Sequence, residues 1–190
     1  VLMLVAAIVF FVSSAIAGFL GFGNGIVCIS VLALTHGVTE AAGLTNFASL
    51  TSCTTLLYIL RRHVDWKSAG LLLTTGLVGV LVGVQVLANV DGSLMKGGLG
   101  VIVIGICLFN LRGGPRTSGE LGTPWALFAG FSAGALQGAL NTGGPPIVAY
   151  LYSRPITPEA AKATTQVVFI AMGLLRLASS VDEGLIDAEL

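Results

Sequence analysis

Two glycine clusters carry the residues of this chain whose types suggest chemistry. They are Gly18-Phe19-Leu20-Gly21-Phe22-Gly23-Asn24-Gly25 and Gly138-Ala139-Leu140-Asn141-Thr142-Gly143-Gly144-Pro145-Pro146. Asn24, Asn141 and Thr142 lie inside apolar sequence, and Thr45, Asn46, Thr164, Thr165 and Gln166 stand near the starts of following helices. Such groups do not make a catalyst, because no nucleophile–base pair, metal-ligand set or phosphate loop accompanies them. They suit an anion instead. Free N–H groups at a helix N-terminus carry partial positive charge. Gly21, Gly23, Gly25, Gly143 and Gly144 let backbone approach a ligand closely, and Asn or Thr adds donors. A site of this kind holds an oxyanion without a fixed cation, so the ligand can leave again. The competing reading is that the glycines only let helices pack while Asn and Thr bond neighbouring carbonyls.

The clusters must break the helices that carry them. Trp125–Tyr152 is apolar throughout and would be roughly 40 Å long as one helix, against a hydrocarbon core of about 30 Å. Pro145 and Pro146 lack the N–H that a helix interior needs, and Pro146 drives Pro145 out of the α region. Val1–Leu34, roughly 50 Å as a helix, must tilt steeply, break or fold back at its own glycines. Within lipid, a break is tolerated only where its backbone faces protein or a water-filled cavity.

The remaining chain reads as membrane-spanning. Of 190 residues, 55% are hydrophobic and 9% charged, and mean hydropathy is +0.95, whereas soluble domains carry about a quarter charged residues. Net charge is zero, which offers nucleic acid no electrostatic footing. Cys28, Cys53 and Cys107 have no metal-like spacing and read as small buried hydrophobes. The expected fold is an all-α polytopic bundle of about six spans: the bent first one, Leu44–Leu60, Ser68–Ala88, Leu94–Leu111, the broken fifth and Ala160–Ser179. Gly76, Gly79 and Gly83 recur at a spacing that suits close helix packing. Trp66 and Trp125 sit at span ends, as interfacial anchors do. With six spans, Arg61, Arg62, Lys67, Arg112, Arg116 and Arg176 fall on the N-terminal side and Lys96, Arg154 and Lys162 on the other, which favours a cytoplasmic N-terminus.

The order of features recurs. Gly18, Leu20 and Gly23 match Gly138, Leu140 and Gly143, and Glu40, Ala41, Ala42 and Thr45 match Glu159, Ala160, Ala161 and Thr164. Interrupted segments at corresponding repeat positions point to a transporter site. The division expected is a first repeat over 1–112, a linker over 113–123 and an incomplete second repeat over 124–190.

Gly18 through Gly25, Val64-Asp65-Trp66-Lys67, and Gly138 through Pro146 with Ile147-Val148 together resemble the sulfite exporter TauE/SafE family of membrane permeases. The resemblance implies two four-span halves and transport, in the export sense, of a small anion such as sulfite, a sulfonate or a related organic acid. Family members usually carry an unbroken glycine triplet where this chain has Gly23-Asn24-Gly25, commonly with a proline near Ser30, and often glycine at Asn141. The second half stops two spans short of the first, so the chain reads as a fragment. The expected partners are a small anionic substrate and the lipid bilayer of the cell membrane, with a homo-oligomer left open and no cofactor or metal. From another class, a non-transporting scaffold or regulatory subunit would use its glycine faces for packing alone.

Overall fold

In a computed structural model, residues 2–21, 23–32, 38–90, 94, 104 and 122–182 are described, and the span expected at Leu94–Leu111 falls almost wholly outside them. Among the described residues there are seven α-helices: α1 (Leu2–Leu20), α2 (Asn24–Leu32), α3 (Val38–Leu60), α4 (Trp66–Asn89), α5 (Thr123–Leu140), α6 (Gly144–Tyr152) and α7 (Pro158–Asp182). A 3-10 turn, Arg61–His63, follows α3, and no strand occurs among the described residues. By length and composition, α4 and Pro158–Ser180 of α7 are long and apolar enough to cross a membrane.

Both glycine clusters interrupt helices, and both interruptions are reversals. A straight helix would hold Ser13 about 16 Å from Asn24 and about 22 Å from Cys28. Instead, Ser13 Oγ donates to Asn24 Oδ1 at 2.7 Å and lies 2.9 Å from Cys28 Sγ. Val9 and Phe10 of α1 accordingly pack with the cluster that contains Leu32. The second reversal follows the same pattern. Asn141 takes a left-handed conformation (φ 56°) at the end of α5, which a short polar side chain tolerates. Gly143 then lies back against α5, where a Cβ would come within 2.5 Å of the Ala133 carbonyl oxygen. Pro145 and Pro146 open α6, where a missing N–H costs nothing.

Glycine contacts set the register of the long helices. An added Cβ would meet carbonyl oxygens across the α4–α5 contact at 2.3 Å from Gly79, 2.2 Å from Gly83, 2.4 Å from Gly130, 2.0 Å from Gly134 and 2.3 Å from Gly138. Residue numbers rise together across this interface, from Leu72 with Gly130 to Val84 with Gly138, so α4 and α5 run parallel. Their backbones approach closely through small residues, as the spacing of Gly76, Gly79 and Gly83 predicts. α7 runs the same way: Thr164 bonds Asp65 at the start of α4, and Met172 reaches Gly76. α3 runs opposite to α7.

This arrangement corrects the charge tally. Counting Val1–Leu34 as one crossing puts Arg61, Arg62 and Lys67 on the side of the N-terminus. The reversal returns α2 to the end where α1 begins, because Leu32 packs with Ala41 of early α3 and with Leu87, Ala139 and Leu140 at the far ends of α4 and α5. Arg61, Arg62 and Lys67 therefore gather at the opposite end with Arg154 and Lys162, which the straight-span count separated from them. Arg176 leaves the tally altogether, since it is 1% exposed inside the bundle. Lys96, Arg112 and Arg116 lie outside the described residues.

That charged end is capped locally. Asp65 precedes α4 and accepts from the Lys67 and Ser68 N–H groups at 3.2 and 3.4 Å and from Ser68 Oγ at 2.6 Å. Burial works against its ionisation, but the Ser68 and Lys67 hydrogen bonds and the charge of Arg154 outweigh it and hold the carboxyl below the usual carboxylate range. Trp66 and Trp125, at the starts of α4 and α5, are 70% and 57% exposed there, where an aromatic belt would sit. Phe11, Val78, Leu81, Phe128, Phe131 and Leu174 are exposed along the helices, an outer surface suited to lipid.

Candidate substrate site

Each reversal ends in an asparagine whose carboxamide is held at both atoms. Asn24 Oδ1 accepts from Ser13 Oγ, and its Nδ2 donates to Ser52 Oγ at 3.2 Å. Asn141 Oδ1 accepts from Gln137 Nε2, and its Nδ2 donates to Ser49 Oγ at 3.1 Å. The two tips thus use their own hairpins for the oxygen and α3 for the nitrogen. Ser49 and Ser52 stand one turn apart on α3, so one helix braces both tips. Ser14 Oγ adds a contact to Ser52 Oγ at 3.0 Å.

The tips also touch directly. A Cβ on Gly25 would lie 1.8 Å from the Asn141 carbonyl oxygen, so the side chain at this position can only be hydrogen. Gly21 (φ 81°) and Gly23 (φ 107°) supply the left-handed turn that L residues avoid. The turn's carbonyl is satisfied across the bundle, because Gln166 Nε2 of α7 donates to the Gly21 oxygen at 2.7 Å.

Between the tips and α3 is a cavity of about 360 Å³, within the range of small-molecule pockets, about 300–1,000 Å³. Gly21, Gly23, Asn24, Gly25, Asn46, Asn141, Thr142, Gly144 and Gln166 line it, together with Gln137, Ser49 and Ser52. Among the described residues, none that lines it is Asp, Glu, Lys, Arg or His. The first residues of both short helices, Asn24 to Ile26 of α2 and Gly144 of α6, face this one space. Asn46 Oδ1 and Thr142 Oγ1, on two residues that line the cavity, are themselves fully buried and have no hydrogen-bond partner among the described residues.

The other residues singled out by sequence are not among those that line the cavity. Gly143 donates its N–H to Gln137 Oε1 at 3.2 Å, and Pro145 sits in the first turn of α6. Thr164 accepts from the Asp65 N–H at 2.9 Å, and Thr165 donates to the Ala161 carbonyl at 2.8 Å. Thr45 is fully buried, with its hydroxyl unpartnered among the described residues. Sequence reasoning passed over Gln137, Ser49, Ser52 and Arg176. Ser49 and Ser52 continue from Asn46 at three-residue spacing, a polar stripe on one helix face. Gln137 is a lone amide four residues before Asn141, one turn away. Arg176 donates from Nε to the Gly138 carbonyl at 2.8 Å, placing a cation in the last turn of α5, the negative end of its dipole.

A family model described as sulfite exporter TauE/SafE matches residues 5–190. Comparison with curated proteins and with solved structures gave no match. With two reversed glycine-rich helices, a cavity between their tips and a family match over nearly its whole length, the chain belongs to the sulfite exporter TauE/SafE family of membrane transporters of sulfur anions.

Proposed function

We propose that the chain exports a small sulfur-containing or related organic anion across the cell membrane, with the anion held between the two hairpin tips. The observation that carries this reading is the convergence of the α2 and α6 N-termini on one cavity, with no charged side chain among its described lining residues. Partial positive charge from two helix ends attracts an anion. The lack of a fixed counter-charge keeps the complex loose enough to release its cargo. Gly23, Gly25 and Gly144 admit the ligand to the backbone, while Asn24, Asn141, Thr142 and Gln166 set its orientation. Thr45, Gly143, Pro145, Thr164 and Thr165 hold that geometry from behind.

On this reading 1–112 and 124–190 are two related halves joined by 113–123. Each half supplies one reversed helix with a braced asparagine at its tip. The clustering of Arg61, Arg62, Lys67, Arg154 and Lys162 at one end makes that end cytoplasmic by the positive-inside rule and sets the start of α1 on the other face. The reading is tested by thermal unfolding of the purified protein with sulfite, thiosulfate, sulfoacetate and taurine. A ligand that binds the native state raises apparent stability by mass action. At least one of these anions should do so in the wild type and fail in Thr142→Val. Equal unfolding temperatures with and without every anion would overturn the proposal.

A further inference from the structure

The cavity has two kinds of wall, and α3 presents both. Ser49, Ser52 and Thr55 follow one another at three-residue spacing, and so do Leu50, Cys53, Leu56 and Ile59; all of them line the cavity. Ser49 and Ser52 stand at the hairpin tips, where they hold Asn141 and Asn24. Leu56 and Ile59 lie about 6 and 10 Å further along the helix from Ser52, towards Arg61. The one hydroxyl on that stretch of wall, Thr55 Oγ1, donates to the Thr51 carbonyl of its own helix at 2.9 Å. Opposite, Ala17 of α1 lies one turn beyond Ser14, which meets Ser52, and it too lines the cavity. The carboxamides and helix N-termini thus sit at one end, and an apolar wall leads away from them.

Resting on the transport reading above, we infer that the cavity prefers an organic anion with an apolar body, a short-chain alkyl or ring sulfonate, its charged head at the hairpin tips and its body along Leu56, Ile59 and Ala17. Size and surface both lead there. A space of about 360 Å³ would hold about twelve waters at roughly 30 Å³ each, and a four-atom anion such as sulfite fills only a fraction of it. Water left against Leu56 and Ile59 gains nothing from them, whereas a hydrocarbon body that displaces it is stabilised in proportion to the apolar area covered. Sulfite therefore occupies the head end alone and binds more weakly.

Isothermal titration calorimetry on the purified protein separates the outcomes. Methanesulfonate is little more than the head, butanesulfonate and benzenesulfonate add a body, and methyl phenyl sulfone keeps the ring without the charge. Each buried methylene is worth about three-fold or more in affinity, so butanesulfonate should bind at least ten-fold more tightly than methanesulfonate. Benzenesulfonate should exceed the neutral sulfone by a similar factor. Leu56→Asn should lower the ratio of butanesulfonate to methanesulfonate affinity, and the wild-type series decides by itself if that variant does not fold. Equal affinities for methanesulfonate and butanesulfonate, or a ratio undiminished in folded Leu56→Asn, would overturn the inference and leave anion transport intact. A neutral sulfone bound as tightly as benzenesulfonate would reveal an apolar cavity that does not select charge, and would also overturn it. Failure of all three sulfonates and of sulfite to bind would remove the transport reading itself, and the inference with it.

Discussion

Replacing Gly25 with alanine tests whether the two tips meet. The added methyl would fall 1.8 Å from the Asn141 carbonyl oxygen, and real Cβ contacts essentially never come under 3.0 Å. The tips must therefore part by at least 1.2 Å, and the obstructing atom is backbone, which cannot swing aside as a side chain would. Overpacking of this kind costs about 1–3 kcal/mol. Alanine regains at most about 1 kcal/mol of helix propensity over glycine, and less in a first turn such as this. The expected net is a destabilisation of about 1–2 kcal/mol, with a larger effect on the ligand because the cavity wall itself moves. Gly70→Ala is the matched control: nothing lies within 4 Å of its Cβ, so the same substitution on α4 should be neutral or stabilising by about 0.5–1 kcal/mol. Thermal unfolding with and without a stabilising anion reads both quantities. Gly25→Ala with wild-type stability and an undiminished anion shift would refute the contact between the tips.

Three further outcomes follow from the same geometry. Ser49→Ala removes the acceptor that holds Asn141 Nδ2 and should weaken anion affinity at least ten-fold, about 1.4 kcal/mol, in a titration; unchanged affinity would show that α3 does not brace that tip. Arg176→Met removes the donor to the Gly138 carbonyl at a fully buried position and should lower the unfolding temperature, with Arg176→Lys recovering part of the loss. Asp65→Ala removes the cap of α4 and should cost about 1 kcal/mol at neutral pH. Because the folded carboxyl titrates below its ordinary value, its contribution is present above the unfolded carboxylate pKa of about 3.9 and disappears as pH falls through the lower folded value. A stability difference between wild type and Asp65→Ala that persists unchanged into strong acid would contradict that assignment.

The sequence marks where the helices break more clearly than it marks what the chain does next. Gly143-Gly144-Pro145-Pro146 cannot continue a helix, for reasons local to those residues, and α5 ends at Leu140. Reversal, as opposed to a kink, depends on contacts far apart in sequence: Ser13 with Asn24, Gly143 with Ala133, and both asparagines with serines of α3. Hydrophobic periodicity holds no record of such pairs, because Ser and Thr in apolar helices also bond their own turn, as Thr54 and Thr55 do here. The charge count treats Val1–Leu34 as one crossing, although folding back at its glycines is one of the options the sequence leaves open, and that reversal moves Arg61 and Lys67 to the other end of the bundle. Arg176 was counted as a terminal charge because it lies near the end of an apolar run. Its burial is set by the Gly138 carbonyl across the α5–α7 contact. The glycine stripe of α4 was legible because spacing alone puts Gly76, Gly79 and Gly83 on one face, and Gly130, Gly134 and Gly138 of α5 answer it.

Anion flux through the cavity is the most direct test of the account. Purified protein in liposomes, loaded with sulfite and exposed to labelled sulfite outside, should exchange label faster than protein-free liposomes. Thr142→Val and Asn141→Ala should each slow that exchange at least ten-fold while remaining folded by thermal unfolding. Exchange that proceeds at the wild-type rate in both variants would contradict the assignment of the hairpin tips as the site where the anion is held.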